Sequence, residues 1–231
     1  MLKSNLIISL ILFFLLNGNS QSTKILSNTS WNSQVGTYVT VKKRVLNSPP
    51  YQQHGKTETW LEGTLLQVET FYKGKLHGKS KLYYPFGTCL GELWTESNYK
   101  QGEIQIEKKY ACENGNIYLS EKIEFKNNEE NIKTSYYKNG NKETQLINQD
   151  TTKMCLSFYE NGKMKEKHYH NHPHYRVNNN YTGLFFNYYN NGKLSYKGGF
   201  DKDGKLNGEY IVYSEEGAIT EKRYYINGLS E

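Results

Sequence analysis

The sequence predicts an all-β fold, an elongated and twisted antiparallel sheet of successive β-hairpin repeats preceded by a cleavable signal peptide. Three observations predict it. A short phrase of aromatic residues followed by a polar residue and Gly recurs along the chain, and no apolar stripe at helical spacing is sustained after Leu16. Only 36% of the residues are hydrophobic, and Tyr alone supplies 21 of them, so a thick aliphatic core is not expected. Tyr buries its ring and keeps its hydroxyl wet, which suits a thin sheet better than a closed sandwich.

The elements follow in chain order. Lys3 opens a short basic region, and Leu6 to Leu16 is an apolar run broken only by Ser9. Gly18, Asn19 and Ser20 then supply the small residues of a cleavage site, placed before Gln21. The apolar run is too short to cross a bilayer core about 30 Å thick. Residues 1–20 therefore read as a signal peptide that directs the chain to a secreted or periplasmic location, with no transmembrane segment in the mature chain. Residues 21–36, rich in Ser, Asn and Thr, read as a flexible N-terminal segment, and residues 37–231 as one β-hairpin repeat domain. Within it, Thr37 to Val45 alternates as a strand that Pro49-Pro50 ends, and a strand-like stretch runs from Thr57 to Tyr72.

The repeated phrase then takes over. It stands at Tyr83 to Gly87, Cys112 to Gly115, Tyr136 to Gly140, Phe158 to Gly162, Tyr188 to Gly192 and Tyr213 to Gly217. From each of these glycines to the next the spacing is 28, 25, 22, 30 and 25 residues. Asn-Gly between alternating segments marks a hairpin, because both residues tolerate positive φ. Second turns fall between these, at Lys73-Gly74, Gln101-Gly102, Asp203-Gly204 and Asn227-Gly228. A three-residue loop closed by Gly pairs the residue four before it with the residue two after. That predicts Phe158 opposite Met164, Tyr188 opposite Leu194 and Tyr213 opposite Ile219, with Leu156, Phe186 and Ile211 on the same face. A two-residue loop would bring Ser157 and Asn187 into the core, so the three-residue loop is preferred.

Strands alternate faces, so the second tyrosine of each pair points the other way. Tyr84, Tyr137, Tyr159 and Tyr189 form that column, with Lys163 and Lys193 beside it. One reading is a half-wet sheet face whose rings cover cross-strand backbone. The other is a partner-binding surface, since exposed aromatic patches mark interfaces.

The phrases Tyr-Tyr-x-Asn-Gly-Lys and Gly-Lys-Leu-x-Gly resemble MORN-variant repeats, above all those of YwqK-type antitoxins. The closest stretch is Gly183 to Leu229, through Tyr188, Gly192, Lys193, Leu194, Gly204, Leu206, Gly208, Tyr210 and Tyr213. Tyr72 to Gly87 is a second, through Gly74, Leu76 and Gly78, and weaker matches extend the likeness over residues 68–229. The resemblance implies an elongated antiparallel sheet used for binding or scaffolding. The antitoxin likeness implies a cytoplasmic partner, and the export signal departs from that.

Chemistry-bearing motifs are few. There is no G-x-S-x-G elbow, no Walker-type phosphate loop and no H-E-x-x-H, so neither catalytic residues nor a cofactor are expected. Asp201-x-Asp203-Gly204 resembles the start of a calcium loop, yet Val212 stands where the closing acid belongs, and a turn is the better reading. His168, His170, His172 and His174 alternate. On a strand, residues two apart share a face, so His168, His170 and His172 are candidate ligands of zinc or copper, against the plainer reading of a polar loop insertion. Of the three cysteines, Cys89 and Cys112 flank the Gln101-Gly102 turn and form a candidate disulfide, which leaves Cys155 over.

The formal charge of +6 falls to about +5 without Lys3 and is spread without a basic run, which disfavours nucleic acid as a partner. The expected function is thus an exported, non-catalytic binding or scaffold protein whose Tyr-rich sheet engages a protein or glycan partner. Toxin neutralisation is the alternative, and metal binding through the His cluster a third. Exposed edges at the terminal hairpins add edge-to-edge homo-oligomers to the expected partners.

Overall fold

A computed structural model describes residues 23–32, 37–46, 53–149, 151–171 and 181–231. Every regular element among them is a β-strand. No helix among the described residues is long and apolar enough to cross a membrane. The proposed signal peptide and its cleavage point lie outside the described residues, as do His172 and His174.

The chain divides into two compact units, one ending at Tyr118 and one running from Leu119 to Glu231, where the sequence reading counted one domain. The first contains β1 (Thr23–Asn32), β2 (Thr37–Leu46), β3 (Gln53–Leu61) and β4 (Thr64–Tyr72). It continues with β5 (Lys75–Leu76), β6 (Gly78–Tyr83), β7 (Leu93–Lys100) and β8 (Glu103–Glu113). Each strand pairs antiparallel with the next, except that both β5 and β6 pair with β4. Residues 23–32, read above as part of a flexible segment, form β1 and pair with β2 from Thr23↔Leu46 to Asn32↔Thr37. The alternating Ile25, Ser27 and Thr29 carry that strand, and the Thr29 and Thr40 hydroxyls meet across it at 2.9 Å.

β9 (Asn116–Lys126) carries the chain into the second unit, followed by β10 (Glu129–Tyr136), β11 (Lys142–Asn148), β12 (Thr152–Phe158) and β13 (Met164–Asn171). Then come β14 (Tyr181–Tyr188), β15 (Leu194–Phe200), β16 (Gly208–Tyr213), β17 (Ile219–Ile226) and β18 (Leu229–Ser230). From β9 to β18 each strand pairs antiparallel with its successor. Hairpin succession is the organising rule of both units.

Two turn classes set the registers. In the first, the Tyr159 N–H donates to the Lys163 carbonyl and the Gly162 N–H to the Tyr159 carbonyl, both at 2.8 Å, with Gly162 at φ 83°. This is the three-residue loop with a bulge, and it recurs at Gly140, Gly192, Gly204 and Gly217. It places Phe158 opposite Met164, Tyr188 opposite Leu194 and Tyr213 opposite Ile219, as the sequence predicts. The second class is a two-residue turn with both residues at positive φ, as in Gln101-Gly102 (54° and 92°) and Asn227-Gly228 (51° and 87°).

Two of the repeated phrases depart from the three-residue loop. Asn114-Gly115 makes a two-residue turn, with φ values of 51° and 80°. The phrase at Gly87 opens a longer connection over residues 84–92, closed by Tyr84 N–H to the Glu92 carbonyl at 2.9 Å. Cys89 within this connection is tied elsewhere, by its bond to Cys112.

The core is thin. The buried apolar side chains among the described residues are Val45, Cys89, Ile123 and Ile211. On the β12–β17 face that carries Ile211, apolar residues alternate across strands with lysines. Leu156 lies opposite Lys167, Lys167 opposite Phe186, Phe186 opposite Lys197, and Lys197 opposite Ile211. Lysine stems covering apolar neighbours let a single layer bury enough surface to hold. Backbone packing is close at one point of β15: a Cβ on Gly199 would lie 2.8 Å from the Asn207 carbonyl oxygen. Gly199→Ala is therefore expected to cost about 2 kcal/mol, because a backbone atom rather than a side chain must yield. Urea denaturation against the wild type measures it.

Candidate functional site

Three features of these units bear chemistry. The first is the tyrosine column. Tyr137 donates its hydroxyl to the Phe158 carbonyl at 2.9 Å, Tyr159 to the Tyr188 carbonyl at 2.7 Å and Tyr189 to the Tyr213 carbonyl at 2.6 Å. Each tyrosine thus bonds to the same place one repeat further on. In the first unit, Tyr84 donates likewise to the Tyr110 carbonyl at 2.6 Å. The asparagines of the turns add a second row. Asn161 accepts from the Lys163 N–H through its Oδ1 at 3.0 Å and donates through Nδ2 to the Asn190 carbonyl at 3.1 Å. Asn139 and Asn191 make the same two bonds in their own repeats. Lys163 donates to the Asn191 carbonyl at 2.9 Å with its stem passing over Gly192, and Lys193 donates to the Glu216 carbonyl at 3.1 Å. The six residues singled out for partner binding therefore spend their polar ends on backbone. The four tyrosine rings lie half-buried, and Lys163 and Lys193 are exposed.

The second feature is an aromatic row on the opposite face from Ile211. Cross-strand registers put Phe185, Tyr196, Tyr210 and Tyr225 on this face. Their rings follow one another at centroid distances of 5.4, 6.1 and 6.0 Å. The Tyr210 ring lies against Gly198, where a Cβ would come within 3.0 Å of it. Glycine at that point seats the ring on the sheet. Sequence reasoning missed this row because its members belong to the strands and not to the repeated phrase.

At one end the row meets a cluster of ligating atoms. Cys155 on β12 lies directly opposite His168 on β13, and His170 is two residues further along the same face. One ligand atom from each of Cys155, His168 and His170 lies within 4.8 Å of the others. The His168 ring packs edge-on against His170 at 4.6 Å and stacks on Phe185 at 6.0 Å. Glu166 holds His168 Nδ1 at 2.6 Å. That hydrogen bond, ahead of the opposing effect of burial, keeps the Glu166 carboxyl below the usual range. Burial pushes the Cys155 thiol up to about 11. Cysteine, histidine and carboxylate stand in the order of a nucleophile and its base, and burial of the thiol opposes the thiolate form that such chemistry uses. Of the predicted ligands, the structure brings together His168 and His170, and His172 lies outside the described residues. Cys155, which the metal reading had not included, completes the group.

The third feature belongs to the first unit. Cys89 and Cys112 are bonded, with Cα atoms 6.2 Å apart. Cys89 sits in the 84–92 loop rather than on a strand, so the bridge ties that loop to β8. The loop holds Phe86 and Leu90 exposed; Trp94 on β7, also exposed, stacks on Tyr84 at 5.7 Å.

No protein-family model matches the chain, and no curated protein matches it.

Proposed function

We propose that the chain is an exported, non-catalytic binding or scaffold protein, secreted or periplasmic, whose second unit presents an aromatic row to a protein or glycan partner. The observation that carries this reading is the row from Phe185 through Tyr196 and Tyr210 to Tyr225, half-exposed on an open sheet face. Rings with one apolar face and a wet hydroxyl suit partners that are part apolar and part polar. The Cys89–Cys112 bond supports an oxidising compartment. The likeness of the repeats to MORN-variant sequences supports a scaffold whose turns and ladders serve to hold a surface.

The test is direct. Immobilised protein is offered a glycan array and, separately, an extracytoplasmic protein extract from the source cells. The doubly substituted Tyr196→Thr/Tyr225→Thr chain, with circular dichroism matching the wild type, is expected to lose the captured ligand by at least about tenfold, a loss of about 1.4 kcal/mol. Full retention of every ligand by the folded variant would remove the row from the proposal.

A further inference from the structure

We infer that Cys155, His168 and His170 form a binding site for a transition ion that takes thiolate and imidazole together, zinc(II) or copper(I). The inference is independent of the partner proposed above. Three arguments carry it.

The first is placement. Register alone sets Cys155 against His168 on neighbouring strands, and period two sets His170 on the same face. Their ligand atoms already lie within 4.8 Å of one another. In a tetrahedral zinc site with Zn–S about 2.3 Å and Zn–N about 2.0 Å, such atoms stand about 3.3–3.5 Å apart. Rotation of the Cys155 and His170 side chains about a fixed His168 would close that difference.

The second is orientation. Glu166 lies two residues before His168 on the same face and engages its Nδ1 at 2.6 Å, so an ion would be taken at Nε2. A carboxylate on the far nitrogen is the arrangement that fixes the tautomer and ring angle of a ligating histidine. The His168 side chain is only 16% exposed, so its orientation is held on the other side by the Phe185 ring.

The third is the donor set. One sulfur and two imidazole nitrogens suit zinc(II) and copper(I) and exclude calcium and magnesium, which require oxygen. Binding displaces the thiol proton to water and forms a metal–thiolate bond, with no change of oxidation state. Three protein ligands leave a fourth position to water or an exogenous donor.

The experiment uses tag-free full-length mature chain with the Cys89–Cys112 bond intact, so that Cys155 is the free thiol being read. Chelator-treated protein is titrated anaerobically with zinc chloride, and separately with copper(I) kept reduced by ascorbate, each against a chromogenic competitor. One equivalent of one ion should bind, and cobalt(II) in its place should show a thiolate charge-transfer band with tetrahedral d–d intensity. Cys155→Ser and His170→Gln should each weaken binding by roughly tenfold or more and abolish the cobalt charge transfer in the first case. Glu166→Gln should weaken it by roughly tenfold while keeping the charge-transfer band. Saturation with zinc or with copper(I) alone supports the site and identifies its ion. No one-equivalent binding of either ion, or binding unchanged in both Cys155→Ser and His170→Gln, overturns it. Two variants on different strands keep the outcome readable if one fails to fold.

Discussion

Replacing Tyr137, Tyr159 and Tyr189 together by Phe is expected to lower the stability of the chain by about 3 kcal/mol. Each substitution keeps the ring and deletes one hydroxyl, and each deleted hydroxyl donates to a different carbonyl, those of Phe158, Tyr188 and Tyr213. A net hydrogen bond contributes about 1 kcal/mol, and bonds without shared partners add. Urea denaturation followed by far-ultraviolet circular dichroism gives the sum. Stability within about 0.5 kcal/mol of wild type would mean that water replaces the hydroxyls without loss and that the column does not hold the repeats. The same triple variant separates holding from contact. A ligand bound through the aromatic row of Phe185 and Tyr196 should still bind the folded triple variant.

The double substitution Cys89→Ser/Cys112→Ser is expected to cost a comparable amount, again about 3 kcal/mol. The bridge closes a sequence separation of 23 residues. Restricting a loop of that size in the unfolded chain is worth roughly 3 kcal/mol by the chain-entropy account. Thermal melts of the oxidised wild type, the reduced wild type and the double variant measure it, and the last two should melt together. The local result should be sharper than the global one. Phe86 and Leu90 lie on the tethered loop, so hydrogen exchange over residues 84–92 should accelerate before that of β7 and β8. A double variant that melts with the oxidised protein would remove the loop's tether from the stability of the first unit.

Much of the fold was legible because turn chemistry is local. Gly162, Gly192 and Gly217 specify the loop, the loop specifies the pair beside it, and Phe158↔Met164 follows by counting. The Cys155–His168 pair was legible by the same route. One bulge past Phe158, the count sets Ser157 against Glu166 and Cys155 against His168. Alternating histidines drew attention along β13 and away from the strand beside it. The second role of Asn139, Asn161 and Asn191 was not legible in one repeat. Within its own loop each asparagine is explained by the turn, and only the stacked neighbour reveals that its amide also reaches outward. The 84–92 loop was hidden for a different reason. Cys89 is bonded to Cys112, a tie between distant residues that the Gly87 phrase does not show.

The hydroxyls of Tyr137, Tyr159 and Tyr189 all point forward along the chain, and that gives the stack a polarity. Where Tyr137, Tyr159 and Tyr189 each reach across to a later hairpin, the corresponding position is Ser214, whose short side chain turns back to the N–H groups of Glu216 and Ala218. The hairpin around Gly217 is thus gripped from behind by Tyr189, and Ser214 supplies no matching forward clasp. Loosening should enter from β17 and β18 and travel backward one clasp at a time, so that fraying of this protein has a direction written into it by one serine.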